Sequence, residues 1–380
     1  MANKNLNKAQ EANLDEFYTQ YRDIENEVMA YIEYDPNVFK GKTVLLPCDD
    51  PEWSNFTKFF ARRFTEFGLK KLISTSYAPD SKKLKEGYQP SFFETDSLQF
   101  DPQKNNAHGK IFILEKDTTG DGIIDDRDLE WTYLDGDGDF RSEEVIKLRD
   151  EADFIITNPP FSQFRDFFQW LIDSKKKFLC ICNKNILSAK DVFPYVMKNK
   201  VWGGSTPTSQ DLLFDVPNEI AEYFVANEKE GSKYKIIDGK VMGRSASIWI
   251  TNIEHGIRHS RLKLTTMAKN IKYVTHKDLK GLKEYIHYEN YDAIEVPGYK
   301  SIPSDYDGIM GVPISFLGVY CPEQFEILGI TDRGNKYGLK TKEYTIKDTP
   351  KYSDLNRRAA MYVNGELKSS YIRLLIRRKD

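Results

Sequence analysis

The sequence predicts an α/β protein: a doubly wound, Rossmann-like sheet followed by an α+β region. Two observations carry this expectation. Apolar runs of strand length alternate with amphipathic helical segments between residues 43 and 77, and again between 142 and 199. After Val201 the texture changes to short β-type runs set among basic loops with many Pro and Gly. The expected division is therefore a first domain at 1–200 and a second at 201–380, with an acidic, Gly-rich insertion at about 117–139 in the first.

In order, residues 15–34 read as an amphipathic helix or a turn followed by one, and TVLLPC (43–48) as a buried strand. SNFTKFFARRF (54–64) is a helix with Ser54 or Asn55 as its cap, and LKKLISTSY (69–77) is the next strand. KIFILEK (110–116) is strand-like. After the acidic insertion, SEEVIKLRDEAD (142–153) is a helix and FIITNPPF (154–161) a buried strand ending in a tight turn. A helix (162–175), a buried strand (176–185) and a helix (188–199) complete the series. SASIWIT (245–251), NIKYVT (270–275) and YDAIEV (291–296) are the β-type runs of the second half.

No apolar run approaches the ~20 residues of a membrane span, and the N-terminus lacks the apolar core of a signal peptide, so a cytoplasmic protein with no membrane partner is expected. Cys48, Cys180, Cys182 and Cys321 form neither a disulfide framework nor a zinc pattern. A net charge of −3 hides a strong asymmetry. Residues 257–283 carry eight Lys/Arg against Asp278 alone, and residues 331–380 carry thirteen against six acids. That pattern points to a polyanion-facing surface on an acidic body.

The sharpest local signal is Asn158-Pro159-Pro160-Phe161. Two prolines lack N–H donors and fix φ near −65°, so the chain must leave the strand in a rigid turn. Such a turn holds the Asn158 amide and the Pro159 carbonyl as convergent acceptors for an exocyclic NH₂, and Phe161 offers a flat face for a base. An aromatic amine is a weak nucleophile, and aligning it with a methylsulfonium is mainly proximity and electrostatic catalysis. A base in a duplex would have to swing out to reach this pocket. The same turn could serve an RNA base or a protein glutamine amide, or survive in a DNA-binding module whose methylating site has decayed.

The chain resembles the EcoRI-type adenine-specific DNA methyltransferase family nearly end to end. DEFYTQYRDIENE (15–27), CDDPEWSNF (48–56), GLKKLI (68–73), GDFRSEE (138–144), EADFIITNPPFSQFR (151–165) and KKFL (176–179) carry the likeness, with YDAIEV (291–296), DYDGIMGVPISFL (305–317) and PEQFEI (322–327) further on. The resemblance implies an S-adenosylmethionine (SAM)-dependent enzyme acting on double-stranded DNA, with a C-terminal target-recognition region. It implies that Phe17, Tyr18 and Thr19 close over the methionine end of the cofactor, and that Pro47, Cys48, Asp49 and Asp50 hold its amino-acid portion. Asp139 would accept the cofactor adenine's amino group while Phe140 packs on its ring, and Asn158 to Phe161 form the catalytic loop. A monomer is expected, and a cognate restriction endonuclease acting on the same site is compatible with the resemblance. Two departures stand out: CDDPEWSN is not glycine-rich, and the second strand ends in Ser74-Thr75-Ser76-Tyr77 without the usual acid for the ribose, a duty left to Asp49 or Asp50.

Arg258, Arg261, Lys263, Arg373, Arg377 and Arg378 are the expected phosphate contacts. Asp117, Thr119, Asp121, Asp125 and Asp128 fit a calcium-loop template with Gly122 at its sixth position, the alternative being an acidic surface insertion. Methyl transfer itself requires no metal.

Overall fold

The computed structural model describes residues 18–49, 54–78, 99–207, 212–216, 218–273, 276–332 and 337–379. Contacts divide the chain into two units, Met1–Lys184 with Gln210–His255, and Asn185–Ser209 with Gly256–Asp380. The chain thus crosses between the units three times, after Lys184, Ser209 and His255.

The first unit opens with strand β1 (Tyr18–Thr19) and helix α1 (Tyr21–Tyr34), so the helix expected from residue 15 starts later, after a short strand. β2 (Thr43–Leu46) leads to α2 (Asn55–Arg62) and α3 (Phe64–Phe67), then β3 (Lys71–Ser76). Ser54 caps α2 by accepting the Phe56 N–H at 3.1 Å, and Gly68, at φ +62°, ends α3. β4 (Lys110–Leu114) and β5 (Glu130–Tyr133) follow, β5 lying inside the stretch read as an acidic, Gly-rich insertion. Then come α4 (Glu143–Glu151), β6 (Phe154–Thr157), α5 (Phe164–Ser174) and β7 (Lys177–Asn183).

In the second unit's first segment lie α6 (Phe193–Met197), shorter than the helix expected there, and β8 (Trp202–Gly203). The chain returns to the first unit for β9 (Leu212–Asp215), α7 (Asn218–Asn227), β10 (Tyr234–Ile237), β11 (Lys240–Ser245) and β12 (Ser247–Thr251).

Within the first unit the large sheet runs β5-β4-β3-β2-β6-β7-β12. Its centre, β3-β2-β6-β7, is parallel, whereas β4, β5 and β12 each run antiparallel to the neighbour nearer the centre. The chain leaves β2 toward β3 on one side and returns to β6 on the other, so the direction of winding switches between β2 and β6. In open α/β sheets ligands lie beyond the strand ends at such a point. One sheet face is covered by α1 and α2 through a core of Ile24, Val28, Phe56, Phe59, Phe60, Leu72, Phe154 and Trp249, all at most 5% exposed. Burying each of these phenylalanines contributes about 2 kcal/mol. A second sheet, β1-β9-β11-β10, joins the N-terminal strand to residues about 200 positions later, pairing Tyr18 with Asp215 and Thr19 with Phe214.

The second unit holds α8 (Met267–Tyr273), β13 (Ile294–Glu295), β14 (Met310–Pro313), β15 (Phe325–Ile330), α9 (Tyr352–Arg357), the hairpin β16 (Ala360–Val363) and β17 (Glu366–Ser369), and β18 (Arg373–Arg378). Its sheet order is β13-β14-β18-β15. NIKYVT, expected as a strand, begins inside α8. The Asp305 carboxylate accepts the Met267 N–H at 2.7 Å and so satisfies the helix start from a distant loop, which outweighs local β-propensity. Among the described residues no helix is long and apolar enough to cross a membrane.

Candidate active site

The polypeptide leaves β2 through Pro47 and Cys48, the latter at φ +66°, a left-handed conformation that a glycine would adopt without strain. This sharp turn replaces the glycine-rich loop and points Asp49 inward, where it is 5% exposed. Its backbone N–H donates to the Thr75 carbonyl at 2.8 Å. Its carboxylate accepts the Ser54 hydroxyl at 2.7 Å, and the Thr157 hydroxyl lies 2.5 Å from both Asp49 Oδ2 and the Pro47 carbonyl. The Ser74 hydroxyl donates to the Asp49 carbonyl, which the Thr57 hydroxyl also reaches at 3.2 Å. One buried acid therefore ties together the ends of β2, β3 and β6 and the start of α2.

Thr157 is the last residue of β6, immediately before Asn158. Asn158 is half-buried, Pro159 buried, and Phe161 partly buried against the aromatic core. The tetrapeptide turns into a short 3₁₀ segment (Phe161–Gln163), with the Gln163 N–H donating to the Pro160 carbonyl at 3.0 Å, and then into α5. This turn is thus anchored by a hydroxyl on one side and a helix on the other.

Thr19 belongs to the same neighbourhood, because Asn55 at the head of α2 donates to its carbonyl at 2.8 Å. Thr19 is 4% exposed and Thr75 is fully buried, yet neither hydroxyl has a hydrogen-bond partner among the described residues. Buried hydroxyls are rarely left unmatched, so two of them beside the strand ends suit a polar ligand such as the amino-acid end of a bound cofactor. Phe17 and Asp50, assigned to that ligand by resemblance, lie outside the described residues.

Asp139 sits past β5 in a loop locked onto the end of β3. The Ala78 N–H donates to the Asp137 carbonyl at 2.7 Å. A Cβ at Gly109 would stand 2.6 Å from the Ser76 carbonyl oxygen, and one at Gly138, at φ +82°, closer still. Gly138→Ala is accordingly expected to lower stability by about 1–3 kcal/mol, read as a lower urea midpoint. The Arg141 fork takes both Asp139 oxygens, at 2.8 and 2.6 Å, and holds the carboxyl below the usual carboxylate range despite burial. Burial, with Asp137 and Asp139 alongside, raises the Tyr77 phenol. The Phe140 ring is 3% exposed, edge-on to Phe167 at 5.2 Å and Trp170 at 5.8 Å, with the Arg141 guanidinium 5.1 Å from its centroid. These contacts anchor the loop.

The expected phosphate contacts divide. Arg373 is buried in β18 and pairs through both Nε and Nη2 with buried Glu295, at 3.0 and 2.6 Å, which commits its guanidinium to the second unit's interior. Arg258, 4% exposed, lies 3.7 Å from the Trp202 ring centroid and donates to Asn199 at 2.5 Å, which likewise commits it to the interior. Arg377 pairs with Glu326 at 2.6 Å and Arg378 with Asp307 at 3.2 Å, while Arg261 and Lys263 are exposed. In the calcium-like loop, Asp117 accepts the Gly120 and Gly122 N–H groups, Asp128 those of Thr118, Thr119 and Asp125, and Arg127 pairs with Asp121 and Asp125. Among the described residues no three His, Cys, Asp or Glu side chains converge on a metal position.

From sequence, Ser54 or Asn55 reads only as a helix cap and Ser74-Thr75 only as a strand end without the ribose acid, and Thr157 carries no signal; the structure brings all five around Asp49 and Thr19. For the strand end a signal was present: three consecutive hydroxyl residues, Ser74-Thr75-Ser76, close an otherwise apolar strand, and buried hydroxyls need partners.

Comparison with known proteins decides the family. The model of the adenine-specific methyltransferase EcoRI family matches residues 5–379. This chain belongs to the EcoRI adenine-specific methyltransferase family. The Type II methyltransferase M.EcoRI of Escherichia coli is 37% identical over 377 residues, covering 99% of this chain and 97% of that protein. Type II methyltransferases of Mycoplasma genitalium (M.MgeORF184P, 32% identical) and Mycoplasma pneumoniae (M.MpnI, 29% identical) each align with 99% of this chain, and with 99% and 98% of their own lengths. No solved structure gives a significant match. The EcoRI-family assignment makes the chain an adenine-specific methyltransferase.

The Asp49 carboxylate joins Ser54 at the start of α2 to Thr157 at the end of β6. Asp49→Ala is expected to cost about 1–3 kcal/mol, because the Ser54 hydroxyl loses its acceptor and Thr157 keeps only the Pro47 carbonyl. Urea unfolding and equilibrium dialysis with SAM would show a lower midpoint together with weaker cofactor binding.

Proposed function

We propose that the protein transfers the methyl group of S-adenosylmethionine to the N6 amine of an adenine swung out of duplex DNA, within one recognition sequence. The observation that carries the reading is the position of Asn158-Pro159-Pro160-Phe161: it leaves β6 beside the β2 turn, at the point where the direction of winding switches. In this reading β3-β2-β6-β7 is the cofactor-binding centre of a Rossmann-like methyltransferase sheet. The basic stretches 257–283 and 331–380 belong to a target-recognition region.

The cofactor supplies an electrophilic methyl on a sulfonium. The chain supplies position. Thr19 and the turn at Pro47 to Asp49 hold the amino-acid end, with the Thr19 and Thr75 hydroxyls available to it. Asp139, kept ionised by Arg141, accepts from the cofactor's adenine amine. The Asn158 side-chain oxygen and the Pro159 carbonyl accept the two N6 hydrogens of the target base, which localises the nitrogen lone pair and directs it away from the ring. Phe161 stacks on the base. Asn158 and Pro159 favour the amine as it gains positive charge, so the alignment lowers the barrier and does not merely bind the substrate. A monomer suffices, since each strand can be methylated in a separate visit. The Type II designation of the relatives suits a partner endonuclease that cuts the same unmodified sequence.

Transfer from methyl-labelled SAM to duplex DNA, RNA and protein, offered in parallel, tests the reading. Label is expected in N6-methyladenine of DNA; label in RNA or in protein glutamine instead would overturn it.

A further inference from the structure

Strands β10 and β11 form a two-residue hairpin, pairing Ile237 with Lys240 across Asp238 (φ +50°) and Gly239 (φ +79°). Two large aliphatic side chains at its tip lie open to solvent, Ile236 at 44% and Ile237 at 45% exposure. Consecutive strand residues point to opposite faces, so both faces of the ribbon's tip are apolar and wet. A single exposed isoleucine is ordinary, but an adjacent pair at a ribbon tip is not accounted for by folding. Residues 233–245 carry Lys233, Lys235, Lys240 and Arg244 against Asp238; of these Lys240 pairs with Asp215 and Arg244 donates to the Gly231 carbonyl. The outer edge is not prepared for strand addition by a second protein, because the Glu230 carboxylate already accepts the Ile236 N–H at 3.2 Å.

Register connects this ribbon to the proposed site within one sheet. Thr19 pairs with Phe214, Phe214 with Gly243, and Gly243 with Tyr234. Three strand spacings put Tyr234 about 15 Å from Thr19, and the tip about 10 Å farther along the strand. Those are the dimensions of a duplex lying across the site. A two-stranded ribbon fits the major groove, and aliphatic side chains wedge between base steps.

The geometry points to the β10–β11 ribbon as the element that enters duplex DNA beside the target adenine, with Ile236 and Ile237 filling the stack that the everted base vacates. The inference rests on the proposed adenine methylation and adds the means of opening the helix. Lys233, exposed on the same ribbon, meets a phosphate, while the two isoleucines replace the stacking lost when the base turns out.

The test compares wild type with an Ile236→Ser/Ile237→Ser variant on two oligonucleotide duplexes carrying the methylated sequence, one fully paired and one with an abasic site opposite the target adenine. On the paired duplex the variant is expected to turn over about tenfold or more slowly, and on the pre-opened duplex to come within about threefold of wild type. Unchanged melting temperature and SAM affinity establish that the fold is intact, and Ile237→Ser alone should show the same split at smaller size. Equal rates on the paired duplex, or an equal loss on both, would overturn the assignment of the ribbon while leaving the methyltransferase reading in place. Failure of the wild type to methylate any DNA would overturn that reading, and this inference with it.

Discussion

Asn158→Ala is expected to lower the rate of methyl transfer about 10²- to 10³-fold while leaving SAM affinity and folding unchanged. The exocyclic amine of adenine shares its lone pair with the ring, so the nitrogen attacks only when its hydrogens are held and its charge is stabilised as it develops. Removing the amide deletes one of two proposed acceptors and leaves the backbone carbonyl of Pro159 in place. The turn itself survives, because the prolines fix it and Thr157 anchors its start through Asp49 and Pro47. Single-turnover kinetics with bound cofactor separate this loss from any change in binding. A variant that methylates at the wild-type rate would remove Asn158 from the chemistry.

The second large effect concerns stability. Arg373→Ala should cost the second unit about 3–5 kcal/mol, because it strands the Glu295 carboxylate inside the protein. Tyr288 also donates to Glu295, and burial raises its phenol strongly, with the Glu295 charge adding to the rise. An outward-facing arginine that met phosphates would behave differently: its loss would weaken DNA binding and reduce the salt dependence without moving the urea midpoint. An unchanged midpoint, with a shallower salt slope, would show that Arg373 faces DNA after all.

What was legible in the sequence is what is local. The run FIIT before two prolines dictates a buried strand and a rigid exit whatever surrounds it, and β6 and its turn lie where that pattern put them. Ser54 caps α2 through a bond spanning two residues, and Ser142 caps α4 through one spanning three. The features that escaped depend on partners far away in the chain. β1 forms only because residues 214 and 215 return to it, and no pattern near Tyr18 announces that pairing. NIKYVT begins in a helix because Asp305 satisfies its start. Charge counts found the basic stretches but could not tell Arg261, exposed, from Arg258, stacked on Trp202, since that distinction lies in the packing and not in the residue type. At the site, the motif residues were visible and their supports were not: Asp49 was read as a cofactor ligand, while its hydrogen bonds show that it also holds the turn that bears Asn158.

The most direct test of the central claim is to treat unmethylated genomic DNA with the purified protein and SAM, then map modified bases by single-molecule sequencing. The account predicts N6-methyladenine confined to one short sequence context. Methylation of a base other than adenine, or none on any sequence by a protein that binds SAM, would contradict it.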